Sequence, residues 1–214
     1  MSLHQCVVLP FPVRARPQLK VVRSPNLQRL TNSAYRSREY LTEREVEQLR
    51  AAALQTGRHG QRDATLILLA YRHGLRVTEL VNLRWEQLDF EQGLIHINRI
   101  KRGTASVHPL GKEEIAALQQ LRSMYPLIPQ VFTGERKTKL SADVLRKIIT
   151  RAGRVAELPF TVHPHMLRHA CGYKLAQDGQ DTRAIQHYLG HKNIQHTVRY
   201  TQLSSERFKD FWKD

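Results

Sequence analysis

The chain has 214 residues, of which 34 are Lys or Arg and 19 are Asp or Glu, so its formal net charge at pH 7 is +15. A chain of this length accommodates one ordinary domain with an arm, or two small domains. The excess of positive charge favours a polyanionic partner over a generic basic surface, and nucleic acid is the leading candidate. No apolar run approaches the ~18 residues that a membrane span needs, so we expect no membrane segment.

Cysteine content and the N-terminal sequence bear on location. The two cysteines, Cys6 and Cys171, form neither a disulfide framework nor a CxxC pair, which fits a reducing compartment. The apolar residues 6–9 are too few, and too close to Pro10 and Pro12, to form a secretory signal. We therefore predict a cytoplasmic protein that is associated with the nucleoid.

Residues 1–38 differ in composition from the rest of the chain. They contain four prolines and seven Lys or Arg residues, and no acidic residue precedes Glu39. This composition predicts a basic and largely irregular arm, followed by a folded domain over residues 39–214. The arm either lies along a DNA backbone or is disordered, and its composition is compatible with both.

Helical signals start directly after the arm. Thr42 and Glu45 have the spacing of a capping box, which predicts the start of the first helix. Asp63 is predicted to cap a second helix. Residues 64–71 of that helix are apolar nearly all round, so we expect it to be buried.

The next corner of the chain carries a basic side chain. Gly74 is predicted to stop the second helix and residues 75–83 to form a third, with Thr78 as its candidate N-cap. Arg76 then lies at a glycine-marked corner beside a buried helix. An arginine in that place is held more rigidly than one on an open surface.

One region has the pattern of β-strands. Residues 94–100 alternate between apolar and polar side chains, and a second short strand is predicted over residues 106–110. The two strands would form a β-hairpin with Lys101 and Arg102 at its tip, from which a lysine can reach into a groove. The alternative is an ordinary exposed lysine in a turn.

The second half of the chain is helical in pattern, so the predicted fold class is mainly α (α+β), with the hairpin as its small β element. Asp181 is a candidate cap and Gly190 a candidate stop for one later helix, and Asn193 is a candidate cap for the next. The predicted helices are residues 113–122, residues 141–152 ended by Gly153, a helix from residue 164, and residues 182–189, 193–200 and 204–212.

One of these helices has an unusual polar face. His165, Arg168, His169 and Gly172 recur at helical spacing on the side opposite its apolar residues. Arginine and histidine without a carboxylate suit an anion, because a guanidinium group matches phosphate oxygens and an imidazole adds a hydrogen bond. The alternative, from this stretch alone, is a solvated helix face.

Zinc binding is a weaker interpretation of the histidines. His165 and His169 are four residues apart, as are His187 and His191. However, the pattern lacks carboxylate partners, and arginines in the same pocket would repel a dication. We therefore expect no metal site.

An ordered set of residues resembles a known family. The set is Arg76, Lys101, His165, Arg168, His191 and Tyr200. With the motifs at residues 74–80 (GLRVTEL), 165–169 (HMLRH) and 189–191 (LGH), it resembles the tyrosine recombinase (lambda-integrase type) family. Residues 69–75, 164–172 and 193–200 are similar to the small fimbrial phase-variation DNA invertases. The resemblance covers residues 40–214 and implies the catalytic domain of that family, helical with a small β-hairpin or sheet, without a full core-binding domain.

The resemblance implies the chemistry. Tyr200 would be the nucleophile that forms a 3′-phosphotyrosyl link to DNA. Arg76 and Arg168 would hold the non-bridging oxygens of the scissile phosphate, and Lys101 would protonate the departing 5′-oxygen. No metal or nucleotide cofactor is needed, because the cations are side chains.

Further residues receive supporting roles from the same resemblance. His165 would accept or donate a proton, and His191 would add a hydrogen bond to the phosphate. We expect Glu79 and His169 to support the pocket; for Glu79 the alternative is an ordinary acid on a helix surface. The predicted DNA-contacting residues are Arg99, Arg102, Lys192 and Arg199.

The predicted function is site-specific DNA recombination, with inversion of a short element in phase variation as its most specific form. The partner would be double-stranded DNA with inverted-repeat sites, bound by a homotetramer on two sites that is a monomer or dimer off DNA. DNA-bending accessory proteins are further candidate partners. Residues 202–214 predict a C-terminal helix that either caps its own domain or docks on a neighbouring protomer. The alternatives are a DNA-binding regulator with the recombinase fold and a type IB topoisomerase-like enzyme.

Overall fold

The computed structural model describes residues 38–99, 105–124, 128–135 and 138–202. Within these ranges the chain forms eight α-helices, three short strands and one 3-10 turn at Trp85–Gln87. The helices are α1 Glu43–Gln55, α2 Gly60–Arg72, α3 Val77–Asn82, α4 Lys112–Met124, α5 Ala142–Val155, α6 Pro164–Gln177, α7 Thr182–Leu189 and α8 Gln195–Thr201. The strands are β1 Leu88–Asp89, β2 Leu94–Ile97 and β3 Ser106–Pro109. None of the helices described in these ranges has the length and apolar character needed to cross a membrane.

The strands form one antiparallel sheet in the order β1-β2-β3. Leu94 pairs with Pro109 and Ile97 with Ser106, so β2 and β3 form the predicted hairpin. The buried side chains of this hairpin, Ile95 and Ile97 on β2 and His108 on β3, face the helices. The predicted tip with Lys101 and Arg102, like the arm before residue 38 and the terminal helix after residue 202, lies outside the described residues.

The start of α1 follows the predicted capping box. The hydroxyl of Thr42 accepts a hydrogen bond from the backbone N–H of Glu45 at 3.3 Å, and the Glu45 carboxylate accepts the backbone N–H of Thr42 at 2.8 Å. Two backbone donors that the helix leaves unpaired are thereby satisfied. Helix α1 then packs its apolar face, including Val46 and Leu49, against α2 and α5.

Helix α2 is buried as predicted, but it begins earlier than predicted. Its first residue is Gly60, and the backbone N–H of Asp63 already donates to the carbonyl of His59 at 3.0 Å. The prediction of Asp63 as the cap is therefore wrong. Its carboxylate, 1% exposed, accepts hydrogen bonds from Arg62 at 2.7 and 2.8 Å and from Arg151 at 3.1 Å.

Two other helix boundaries differ from the sequence prediction for packing reasons. Arg76, rather than Thr78, is the residue that precedes α3, and its backbone N–H is satisfied by the Glu79 carboxylate at 2.9 Å. Helix α5 continues past Gly153, because that glycine faces Val162. A Cβ atom at position 153 would lie 2.6 Å from Val162 Cγ2, so the glycine permits a close contact and does not stop the helix.

The remaining helix boundaries lie closer to the positions predicted from the sequence. Asp181 caps α7 by accepting two backbone N–H groups, and Gly190 ends it with a φ of +64°. Asn193 accepts the backbone N–H of Gln195 at 2.9 Å, but it lies two residues before the start of α8, and the N-cap position itself is Ile194.

A second, smaller apolar cluster lies beside the main core. It is formed by α6, α7 and α8, and its buried members are Cys171, Ala176, Ile185, Leu189 and Tyr200. Cys171 is 3% exposed and its thiol donates to the carbonyl of Arg72 at 3.4 Å, so it packs as the small residue that the sequence predicted. The cluster brings the end of α8 against the middle of α6.

Replacing Asp63 by Asn should destabilise the fold strongly. Burial raises the pKa of the Asp63 carboxyl, and the charges of Arg62 and Arg151 act in the opposite direction. Removing its charge leaves the buried Arg62 guanidinium without a counter-ion. Loss of one partner of a buried pair costs about 3–5 kcal/mol of the free energy of unfolding, which urea titration measures.

Asp143→Asn is the matched control. Asp143 pairs with Arg146 at 2.6 Å, but its side chain is 83% exposed. We expect a loss below about 1 kcal/mol. Equal losses in the two variants would contradict this account of the ion pair of Asp63.

Candidate active site

The corner at the end of α2 positions Arg76. Gly74 has a φ of +57°, and a Cβ atom there would lie 2.4 Å from the side chain of Leu189, so the turn requires glycine for both reasons. Arg76 directly precedes α3 and donates from Nη1 to Glu79 Oε1 at 2.9 Å. Its side chain is 33% exposed and that of Glu79 only 3%. Glu79 is thus the buried carboxylate that orients a partly open arginine, and it is not an ordinary surface acid.

Arg168 lies on α6 and ties this corner to the end of α7. It is 2% exposed, and its guanidinium donates from Nη1 to the carbonyl of Gly74 and from Nη2 to the carbonyl of Leu189 at 2.6 Å. Burial, then the charges of Arg76 and Arg99, lower the pKa of Arg168 to about 10, so it remains a cation at neutral pH. One buried cation therefore holds two turns of the chain together.

His165 and His191 are both neutral at pH 7. His165 is exposed at the first turn of α6, and its pKa is lowered by partial desolvation and then by Arg168 and Arg76. His191 follows Gly190, and its Nδ1 atom lies 2.9 Å from the hydroxyl of Thr197. Burial, followed by the same two arginines, lowers the pKa of His191 to about 3. Each ring can therefore donate one hydrogen bond and accept another.

Tyr200 is held inside the protein by α6. It is 1% exposed, and its hydroxyl lies 2.8 Å from Nδ1 of His169. Its ring lies so close to Gly172 that a Cβ atom there would be 2.6 Å from Tyr200 Cε2. Burial raises the pKa of Tyr200 to about 12, against the lowering effect of Arg168 and Arg199. The phenol is therefore protonated in this conformation.

His169 contacts Tyr200 directly, which is a closer role than the sequence predicted. Burial, then His165 and Arg199, lower the pKa of His169 to about 3. A neutral imidazole that carries its proton on Nε2 can accept the phenol's hydrogen bond at Nδ1, but it is too weak a base to keep the proton. The burial of His169, Arg168 and Gly172 also excludes the interpretation of this helix face as solvated.

The structure brings five of the six predicted catalytic side chains together; the sixth, Lys101, lies outside the described residues. The five are Arg76, His165, Arg168, His191 and Tyr200. The rings of His191 and Tyr200 stack with centroids 6.2 Å apart, and both histidines lie in the field of the same two arginines. Within the described ranges, no group of three His, Cys, Asp or Glu side chains has the arrangement of a metal site.

The predicted DNA-contacting residues have different locations. Lys192 is exposed, and Arg199 is partly exposed and paired with Glu39 at 2.6 Å. Arg102 lies outside the described residues. The prediction for Arg99 is wrong in this structure: its side chain is 0% exposed, because its guanidinium is committed to Glu79 and to the carbonyl of Tyr188.

Sequence reasoning missed the ring contacts that support Tyr200, the candidate nucleophile, from behind. The rings of Tyr173 and Tyr200 lie 5.0 Å apart, and those of Tyr40 and Tyr173 lie 4.1 Å apart. Tyr173 could have been found, since it lies eight residues after His165 on the same helix. Tyr40 has no local signal, because its contact joins distant parts of the chain.

A basic cleft was also missed. It has a volume of about 1040 Å³ between the turn before α2, the loop before α5 and α5 itself, and none of the five gathered candidate residues lines it. Its exposed cations come from separate segments, so only their spatial arrangement reveals a patch. They are Arg58, Lys139, Arg146, Lys147, Arg151 and Arg154.

Comparison with known proteins identifies the family. The model of the phage integrase family matches residues 39–207. The chain belongs to this family. It is 46% identical over 182 residues to the type 1 fimbriae regulatory protein FimE of Escherichia coli K12, covering 82% of this chain and 91% of that protein. FimB of the same strain is 42% identical over 182 residues, with coverages of 83% and 90%.

The fold of this chain agrees with that of a solved structure. The crystal structure of the XerA recombinase superposes with a TM-score of 0.71 at 24% identity, and the match covers 82% of this chain and 65% of that one. The predicted mainly helical catalytic domain with a small sheet is confirmed, as is membership of the tyrosine recombinase family. The chain is thus a site-specific DNA recombinase.

Replacing Gly172 by Ala should displace Tyr200. The added Cβ would overlap the phenol ring, and such overpacking costs about 1–3 kcal/mol of the free energy of unfolding. In protein labelled with 3-fluorotyrosine, we expect the resonance of Tyr200, assigned through Tyr200→Phe, to shift. Gly153→Ala is the control. It adds a similar overlap between α5 and Val162, and it should leave the resonance of Tyr200 unchanged. A Tyr200 resonance that is unchanged in Gly172→Ala would contradict the packing described here.

Proposed function

We propose that this recombinase inverts a short DNA segment flanked by inverted repeats, and that it cuts and rejoins strands through a 3′-phosphotyrosyl link at Tyr200. The observation that carries the proposal is the gathering of a tyrosine, two arginines and two neutral histidines around one pocket. The relationship to FimE and FimB favours inversion over integration or excision.

The two arginines would bind the phosphate. Arg76 is partly open and oriented by Glu79, so it can present N–H groups to a non-bridging oxygen. Arg168 would act from deeper in the pocket, where low exposure strengthens its interaction with the developing charge. Loss of one such preorganised donor typically slows the chemical step by about 10²–10³-fold.

Protons must move in both directions during cleavage. The oxygen of Tyr200 attacks phosphorus, its proton passes to neutral His165, and the bond from phosphorus to the 5′-oxygen breaks. Lys101 would give a proton to that departing oxygen, and His191 would donate a hydrogen bond to the phosphate. Rejoining is the reverse sequence, in which the 5′-hydroxyl attacks the phosphotyrosine, so no external energy source is required.

The described conformation of Tyr200 would precede cleavage. A phenol that is 1% exposed and bonded to His169 cannot reach a phosphate in the pocket. Helix α8 would therefore shift when DNA binds, and the phosphate-binding cations would then favour the phenolate.

The DNA contacts and the assembly extend beyond the pocket. The basic cleft beside α5 offers six exposed cations for phosphates at a distance from the cleaved bond. We infer a homotetramer on two DNA sites, joined by docking of the C-terminal residues on a neighbouring protomer and helped by DNA-bending proteins. The enzyme would act in the cytoplasm, on nucleoid DNA.

Tyr200→Phe should abolish covalent DNA adducts and retain DNA binding. Fragments from the region of its own gene are incubated with each protein, denatured and resolved by electrophoresis, and the fragment to which the wild type becomes linked is sequenced. The phenyl ring keeps the packing against Gly172 and removes the attacking oxygen, so binding measured by mobility shift should persist.

The same assay separates the alternatives. An adduct formed by Tyr200→Phe would show that another residue is the nucleophile. A wild type that binds but forms neither adduct nor inverted product would be a regulator. Relaxation of supercoiled DNA without inverted product would indicate a topoisomerase-like enzyme.

DNA affinity should fall steeply with salt. Each phosphate contact contributes about −0.9 to the slope of log K against log salt concentration. If Arg154 contacts a phosphate from the cleft, Arg154→Gln should make this slope less negative by about 0.9, the contribution of one contact. Arg122→Gln removes the same charge outside the cleft, where Arg122 lies over Trp85, and should leave the slope unchanged. A flat salt response in the wild type would contradict phosphate tracking.

A further inference from the structure

Arg99 lies between the two turns that carry Arg76 and His191. Its Nη1 atom is 2.7 Å from Glu79 Oε2, and its Nη2 atom donates to the carbonyl of Tyr188 at 2.5 Å. Glu79 also accepts the backbone N–H and Nη1 of Arg76, each at 2.9 Å. One guanidinium therefore reaches Arg76 through a single carboxylate on one side and the last turn of α7 on the other.

The side chain of Arg99 also sets how closely the His191 turn approaches. Gly190 has a φ of +64°, and a Cβ atom there would lie 2.8 Å from Arg99 Nε and 3.1 Å from its Cδ. The glycine that ends α7 thus packs its bare Cα against the stem of this arginine. Directly after it, the backbone N–H of His191 donates to the carbonyl of Gln186 at 3.0 Å, which fixes the turn.

The carbonyl that Arg99 holds belongs to a firmly placed residue. The ring of Tyr188 stacks on that of His108, with centroids 3.7 Å apart and an angle of 16° between the planes. Its hydroxyl donates to the carbonyl of Arg72 at the end of α2, at 2.9 Å. Tyr188 is thus held by β3, by α2 and by Arg99, so the arginine is anchored to a fixed point of the fold.

A contribution to stability does not explain why Arg99 is buried. Its Nε atom is buried without a hydrogen-bond partner, and burial lowers its pKa despite the carboxylate of Glu79. Apolar residues of similar volume often replace such buried ion pairs without loss of stability. A buried arginine kept at this cost, in contact with both halves of a reactive pocket, is more consistent with a role in positioning.

We propose that Arg99 is a positioning residue, which fixes Arg76 through Glu79 and His191 through the Tyr188–Gly190 turn at the separation that the scissile phosphate requires. It acts from inside the protein and does not touch DNA. The inference rests on the proposed cleavage by Tyr200.

The test separates cleavage from binding. Arg99→Met keeps most of the side-chain volume and removes the guanidinium. The single-turnover rate of adduct formation is measured at saturating concentration on a nicked duplex of the fragment that the wild type cleaves. Because misplacement of reacting groups by about 1 Å slows chemistry by about 10²-fold, we expect a loss of that order with an unchanged dissociation constant for DNA.

Arg50→Met is the matched control. The side chain of Arg50 is 16% exposed and pairs with Glu47 at 2.9 Å and with Glu113 at 2.5 Å, away from the pocket and from the basic cleft. Both variants should lose thermal stability, but only Arg99→Met should slow adduct formation at a temperature where both are folded. Equal rates for Arg99→Met and the wild type, or equal slowing in both variants, would overturn the inference.

Two further measurements keep the test decisive. If Arg99→Met does not fold, Arg99→Lys retains the charge but lacks the planar fork, and it should be slower than the wild type. In a double-mutant cycle with Glu79→Gln, the combined rate loss should be smaller than the product of the single losses. A combined rate loss equal to the product of the two single losses would contradict action through Glu79. A wild type without any Tyr200-dependent adduct would refute the proposed function and not the position of Arg99.

Discussion

The pocket depends on the two hydrogen bonds that Arg168 donates to the carbonyls of Gly74 and Leu189. These carbonyls belong to turns that are distant in sequence, and each turn is followed within two residues by a predicted catalytic side chain. A guanidinium is suited to this task, because its planar fork presents several donors at fixed angles. Removing it would leave two buried carbonyls without these partners as well as the pocket without a cation. The guanidinium of Arg168 therefore both fixes the two turns of the site and provides part of its positive charge.

The second constraint is electrostatic. Arg76, Arg99 and Arg168 lie close enough that the first two lower the pKa of the third, and Glu79 bridges two of them. Burial, followed by the charges of Arg168 and Arg76, keeps His165 and His191 uncharged. The site therefore carries its positive charge on arginines and leaves its imidazoles able to exchange protons. In the proposed reaction, a phosphodiester would supply the missing negative charge. Binding and activation of the phosphate would then have one physical origin.

Local sequence patterns predicted most of the fold and named most of the side chains that the structure brings together in the candidate site. Capping at Thr42 and Asp181, the stop at Gly190 and the hairpin depend on neighbouring residues, so they were visible in the sequence. Arg99 was misjudged because it closely follows a strand and precedes the basic residues Lys101 and Arg102 in the sequence, as a surface cation would. Its burial results from Glu79, which is 20 residues earlier, and from Tyr188, which is 89 residues later. Contacts between residues so far apart in the sequence leave no periodic pattern in it.

Asp63 and Gly153 were misjudged for the same kind of reason. An aspartate near a helix start and a glycine near a helix end have common local roles, which here are overridden by tertiary partners. Asp63 accepts hydrogen bonds from the buried Arg62 on its own helix and from the exposed Arg151 on α5, and Gly153 makes room for Val162. The residues where local rules failed are thus residues at which separate elements of the fold touch.

The thiol of Cys171 lies between the corner of Gly74 and the ring of Tyr200, in the cluster that supports the site. A Cβ atom at Gly74 would lie 3.4 Å from its Sγ, and burial raises its pKa to about 12. Alkylating reagents react with the thiolate, so this cysteine is inert while α6 and the end of α2 stay in contact. The chain therefore carries a native chemical probe one residue from Gly172, the glycine that packs against the ring of Tyr200. The rate of Cys171 alkylation reports how often this interface opens.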